Sequence, residues 1–199
     1  KEDFWYLDFE FARSSERQTR VVCCTLQAGT DDPQEFWLDI DNPIQEEYDR
    51  FNDWMESVEY SGNPLVAFAA TAEARSFLSL NIEPRKFPWI DLFFEWKQLQ
   101  NCNDKFCYGT YFVRGKEFTS VIPSKNPRRN KGKNMTQIGI NLVSCVGRML
   151  KVNRDKKHKD EMRDLIISDP EYFTEEEKKN IMDYCTEDVR DLPYLWEAM

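Results

Sequence analysis

Residues 4–11, FWYLDFEF, constrain the fold more than any other stretch. All but two positions are aromatic or aliphatic, as in a strand buried in a core, yet Asp8 and Glu10 sit two apart within it. Strand side chains alternate faces, so Phe4, Tyr6, Asp8 and Glu10 share one face and Trp5, Leu7, Phe9 and Phe11 the other. Two unpaired carboxylates side by side repel, and one is driven to protonate unless a cation intervenes. Hard oxygen ligands of this kind suit Mg2+ or Mn2+. The plainer reading puts both acids at a polar edge of the sheet, and D-x-E alone is too short a pattern to decide.

Around this strand the chain reads as alternating strands and helices. SSERQTR (14–20) marks a hairpin turn into a second strand, TRVVCCTLQ (19–27), and EFWLDI (35–40) is a short third. Residues 45–60 have helical period, with Tyr48, Phe51, Trp54 and Met55 on one face. PLVAFAA (64–70) is short and continuously apolar, which predicts a central strand. TAEARSFLSL (71–80) follows as a helix with Thr71 near its N-cap, and FPWIDLF (87–93) as a fifth strand running into a helix. CYGTYFVRGKEFTSVIP predicts a hairpin around Arg114–Lys116, followed by a polar, basic loop. Helices then run over 138–150, 158–167, 174–189 and 190–199, the third opened by a Thr174/Glu177 capping box. This pattern predicts one α/β domain over 1–199, a mixed central sheet flanked by helices.

The net charge of −9 argues against a general polyanion binder. Charge is nevertheless uneven: from Lys105 to Lys133 eight basic residues face a single acid, Glu117. Such a chain suits a protein that holds cations in one place and phosphate in another. Arg114, Lys116, Lys125, Arg128 and Arg129, interleaved with Tyr108, Tyr111 and Phe112, make this segment a candidate guide for a nucleic-acid strand. The bland alternative is a solvated loop. Six scattered cysteines form no disulfide framework, which points to a reducing compartment. The Cys102/Cys107 pair lacks a second Cys/His pair at zinc-finger spacing. No stretch has the length of a membrane span.

Two more acidic features follow in order. Glu73 lies in the first turn of a helix directly after an apolar strand, where open α/β sheets place their sites, although an acid there also suits the helix dipole. In DYCTEDVRDL (183–192), Tyr184 and Asp188 are four apart and share a helix face.

With LDFEF, AATAEARSFL and YCTEDV in this order, the chain resembles the tyrosine-bearing (DEDDy) branch of the DEDD 3′→5′ exonucleases, in the DnaQ-like, RNase H-like superfamily. The nearest likeness is to the proofreading domain of family A (pol I-like) DNA polymerases of phage type. KDEMRDLI (159–166) followed by FTEEEKKNIMDYCTEDV also resembles the stretch before the third motif. The likeness runs from about residue 4 to about 195, with a basic insertion at about 101–135. The second motif departs from it: the family pattern Asn-x3-Asp falls on Ala69 and Glu73, and a slip of one residue would put Ala74 at the acid position. Asp91 is the fallback, supporting acid. A histidine-type member would need His where Tyr184 stands, and His158 is too far upstream.

The resemblance implies an RNase H-like fold and two-metal hydrolysis of single-stranded DNA 3′ ends to nucleoside 5′-monophosphates, as proofreading for a polymerase module on the same or another chain. It implies two divalent cations, Mg2+ or Mn2+, held by Asp8, Glu10, Glu73 and Asp188, with Tyr184 orienting the attacking water. Phe9, Phe77 or Leu78 beside the acids would wedge or stack on the terminal base, although such side chains are more often plain core. The expected location is the cytoplasm, that of the host if phage-encoded, and no membrane partner is expected. Two alternatives stand beside this reading: an RNase D-like trimmer of RNA 3′ ends, and an inactive exonuclease fold kept as a nucleic-acid-binding or scaffold module, motivated by the altered second motif.

Overall fold

A computed structural model describes residues 4–13, 19–102, 110–113, 116–119, 141–152, 156–168 and 170–199. Its main sheet has five strands: β1 (Trp5–Arg13), β2 (Thr19–Ala28), β3 (Gln34–Trp37), β4 (Leu65–Ala67) and β5 (Trp89–Asp91), in the order β3-β2-β1-β4-β5. β1 pairs antiparallel with β2 and parallel with β4, so the sheet is mixed and the acidic strand is central in it. β4 also pairs on both sides, as its unbroken apolar run predicts. The helices are α1 (Gln45–Ser61), α2 (Ala70–Ser79), α3 (Leu92–Cys102), α4 (Leu142–Met149), α5 (Lys156–Ile167) and α6 (Glu175–Ala198). A separate hairpin, β6 (Thr110–Val113) and β7 (Lys116–Thr119), forms where the sequence predicts one. No helix among the described residues is long and apolar enough to cross a membrane.

Strand alternation sorts the core. Leu7 and Phe9 of β1 pack with Phe51, Met55 and Val58 of α1 and Phe77 of α2, with Trp5 and Phe11 at the margin. On the opposite face, Tyr6 belongs to a cluster with Trp96, Cys145, Val189, Leu192 and Leu195. Ala12, beyond the acids on the same strand, joins a different cluster with Cys23, Trp37, Ile166, Ile181 and Cys185. Asp8 and Glu10 lie on β1 between these two clusters. The core on one face of the sheet is therefore continuous, and on the other it is parted by a polar seam.

Several boundaries differ from the sequence reading, each for a local reason. β3 ends at Trp37 because β2 bulges opposite Glu10/Phe11; beyond it Leu38 N–H still bonds Val22 O at 2.9 Å and Ile40 N–H bonds Val21 O at 3.2 Å. Thr71 does not cap α2: the N-cap is Ala69, in the left-handed region at φ 75°, with no side-chain capping bond, and Thr71 is exposed. The last two predicted helices are one, α6, which continues through Pro193 because Leu192, Pro193 and Leu195 are all buried against the sheet side. Its Thr174/Glu177 capping box is formed. The SSERQTR turn residues 14–18, Cys107, Tyr108 and most of the basic loop lie outside the described residues.

Candidate active site

α6 brings the third motif to the first. Ile181, Tyr184, Cys185, Asp188, Val189 and Leu192 recur at three- and four-residue intervals and are all buried, so the polar pair sits on the helix's core-facing stripe. The helix is registered on the sheet by Thr186, whose hydroxyl bonds Glu35 Oε1 at 2.7 Å and lies 3.1 Å from that of Thr25. Thr25 is the β2 partner of Asp8. In this position carboxylate oxygens of Asp8, Glu10 and Asp188 all lie within 4.8 Å of one another.

The surroundings are hostile to so much like charge. Burial, together with the neighbouring Asp188, raises the Asp8 carboxyl to about 8, and the Lys159 ammonium and the Cys185 thiol only partly offset this. Glu10 is pushed well above the usual carboxylate range by burial, then by Asp8, Cys23 and Asp188. The Tyr184 phenol is pushed up by burial and by Glu10, Asp188 and Asp8, and is hydrogen-bonded to Asp188, so it is a neutral donor at ordinary pH.

Glu73 is close but stands apart from the three. It is buried on the inner stripe of α2, and its Oε2 accepts the Phe9 N–H at 3.0 Å. The reason is topological: β4 pairs with β1 only at Trp5 and Tyr6, so further along β1 the Phe9 N–H lacks a strand partner and takes a side chain instead. Burial and the proximity of Asp8 raise the Glu73 carboxyl, against the Phe9 bond. Asp91, at the end of β5, accepts N–H bonds from Ala69 (3.2 Å) and Phe93 (2.9 Å), fixing the left-handed corner that leads into α2.

Phe9 and Phe77, expected to stack on a terminal base, are placed in the apolar core. Both are buried, at 3% and 0% exposure, and meet edge-to-face at 5.6 Å inside the continuous core. Leu78, the neighbour of Phe77 on α2, is exposed. Of the basic segment, Lys125, Arg128, Arg129 and Arg114 lie outside the described residues, and Lys116 is placed in β7 by its backbone alone.

Sequence reasoning missed two participants. Lys159, near the start of α5, forms an ion pair with Asp188 Oδ2 at 2.7 Å, and its ammonium stands 5.1 Å from the centre of the Tyr184 ring. The legible signal was a lysine in helical register with Met162 and Ile166, hence on a buried stripe, where a cation needs an anion. Cys185, read only for redox compartment, directs its thiol at Asp8, 3.4 Å from the carbonyl oxygen and 3.7 Å from Oδ2.

No protein-family model matches the chain, and no curated protein matches it in sequence. Among solved structures, the EXO domain of Nibbler from Aedes aegypti is similar with a TM-score of 0.53 and 11% identity, over 100% of this chain and 78% of that one. RNase D from Trypanosoma brucei, solved in complex with RNA U12, is similar with a TM-score of 0.55 and 13% identity, over 99% of this chain and 55% of that one. This chain thus spans about half the length of that RNase D. The mixed five-stranded sheet flanked by helices is the RNase H-like fold of these exonuclease domains.

Proposed function

We propose that the protein is a metal-dependent 3′→5′ exonuclease that hydrolyses single-stranded nucleic-acid 3′ ends to nucleoside 5′-monophosphates. The observation that carries this reading is the meeting of Asp8, Glu10 and Asp188 within 4.8 Å beside the phenol of Tyr184, on a sheet of this fold. The donor set fits hard divalent cations: it is all carboxylate, with Asp8 and Glu10 half-buried and Asp188 buried, and burial and mutual repulsion raise the Asp8 and Glu10 carboxyls. Asp8, Glu10 and Asp188 would hold two such ions, Mg2+ or Mn2+, with Glu73 as a fourth acid behind Asp8. When bound, they supply the charge neutralisation and Lewis acidity that in-line phosphodiester hydrolysis requires.

The chain's own residues do the rest. Tyr184 keeps its proton, which it donates to Asp188, so its oxygen is free only to accept from the attacking water and would orient that water without deprotonating it. Asp188 holds the phenol in place. Cys185 ties α6 to β1, and the Thr25–Thr186–Glu35 bonds tie it to β2 and β3, which would hold the acids at working distance.

We read single-stranded DNA as the substrate and proofreading for a polymerase as the setting, on the strength of the sequence resemblance. RNA is the second reading, favoured by the likeness to an RNase D solved with RNA. The test is degradation of matched 5′-labelled DNA and RNA oligonucleotides with Mg2+ or Mn2+ against EDTA. A metal-dependent ladder shortening from the 3′ end supports the reading, and the faster substrate assigns the sugar. Intact oligonucleotides in both metals, with folded protein, refute it in favour of an inactive binding module.

A further inference from the structure

Among the described residues of the seam, Lys159 is a charged group that hydrolysis by carboxylates and Tyr184 does not use. It is partly buried, with a side-chain exposure of 26% against 11% for Asp188, and the two are in direct contact at 2.7 Å. The same ammonium lies over the ring of Tyr184 at 5.1 Å. It therefore contacts the third-motif acid and covers a face of the phenol ring that the same acid holds. Its helix reaches this point because Ile166 is buried in the cluster beyond the acids, with Met162 packed against it.

Building on the metal-site reading above, we propose that Lys159 is an exchangeable internal counter-ion: it neutralises Asp188 while the site is metal-free, and must leave Asp188 when a divalent cation binds. A cation in contact with one of three clustered carboxylates lowers their mutual repulsion and lets the acidic seam fold without metal. The same positive charge opposes a divalent ion entering a few ångströms away, and in a partly buried site that opposition is weakly screened. Lys159 thus sets the divalent-cation concentration at which the site becomes competent, and its departure opens the face of Tyr184. This is a positioning role, acting through Asp188 and Tyr184.

The sign of the effect separates this role from a purely structural one. Loss of a structural ion pair would weaken metal binding; loss of a competitor strengthens it. Mn2+ binding to the full chain without nucleic acid, followed by electron paramagnetic resonance, should be about tenfold tighter or more in Lys159→Gln than in wild type, the scale of a neighbouring unit charge. Lys159→Arg, which keeps the charge, should stay close to wild type. Equal or weaker binding in Lys159→Gln overturns the proposal. If wild type and Asp8→Asn bind Mn2+ equally poorly, the metal-site reading itself falls, and the counter-ion proposal with it. A second measurement needs no variant: reductive methylation of wild-type lysines, mapped by mass spectrometry. Mg2+ should raise modification of Lys159 relative to Lys97; an unchanged or lowered rate contradicts its release.

Discussion

The two faces of β1 are built from alternate residues of one strand and follow opposite rules. Toward α1 and α2, Leu7 and Phe9 join a single apolar cluster whose rings interlock, Phe9 against Phe51 at 6.1 Å and against Phe77 at 5.6 Å. Toward α6, Asp8 and Glu10 part the apolar residues into two clusters and gather a third acid, a phenol, a thiol and an ammonium between them. The first face supplies cohesion. The second gives up cohesion for a cluster of carboxyls that repel one another and that Lys159, paired with Asp188, only partly offsets. A third region shows that this imbalance is not inherent to buried charge in the molecule. Arg20 and Asp39 are both buried, and Arg20 donates to both oxygens of Asp39 at 2.9 and 2.8 Å, with Asn42 adding a third bond at 3.2 Å. There the charges are matched, and the knot ties β2 to the chain before α6 through Pro170 O and Glu171 O.

The comparison is broken most sharply by removing an acid from the seam. Asp188→Ala should lower exonuclease turnover roughly a thousandfold, the scale of losing one arm of a cation site, while circular dichroism shows a folded chain. Phe77→Ala, on the cohesive face, should do the reverse: about 3–5 kcal/mol less stability in urea titration. Loss of activity there should track unfolding.

The matched pair comes next. Asp39→Ala takes from Arg20 its buried partner, leaving the exposed Asp41 and Pro170 O, and should lower stability by about 3 kcal/mol. Burial alone would raise the Asp39 carboxyl, but the bonds from Arg20 and Asn42 and the Arg20 charge hold it below the usual range. A group depressed in the folded state stabilises above its unfolded value, near pH 4, and that contribution is lost as pH falls through the folded value. Wild type should therefore lose stability on acidification below about pH 4 more steeply than Asp39→Ala, read from melting temperature against pH.

A smaller effect of opposite sign is expected at the seam. Asp8→Asn replaces a carboxyl that burial and Asp188 force to hold a proton at neutral pH and should raise metal-free stability by about 1 kcal/mol, a gain that EDTA-treated protein shows and Mn2+-loaded protein does not. The smallest concerns the altered second motif. Ala69 sits at φ 75°, a conformation that asparagine adopts more readily, so Ala69→Asn should add about 0.5 kcal/mol in urea titration.

Much of this contrast is legible along the chain because it is periodic. The period-2 alternation of residues 4–11 separates Phe9 from Asp8 and Glu10 without a structure, and helical spacing puts Tyr184 and Asp188 on the stripe of Ile181, Cys185 and Val189. What is not legible depends on where elements end and what lies across from them. Glu73 is drawn to the Phe9 N–H because the β1–β4 pairing stops at Tyr6, a length no local pattern specifies. Phe77 faces inward and Leu78 outward on the same helix, so nearness to the acids in sequence misled the assignment of a base-stacking ring. Lys159 reaches Asp188 only because α5 packs across β1, a long-range contact that charge patterning along α5 cannot reveal.

The measurement that tests the central claim most directly is anomalous diffraction from Mn2+-soaked crystals of the full chain. The account predicts a peak among the carboxylates of Asp8, Glu10 and Asp188, with the Lys159 ammonium moved off Asp188. Absence of a peak there, with Lys159 still paired to Asp188 in millimolar Mn2+, would contradict it.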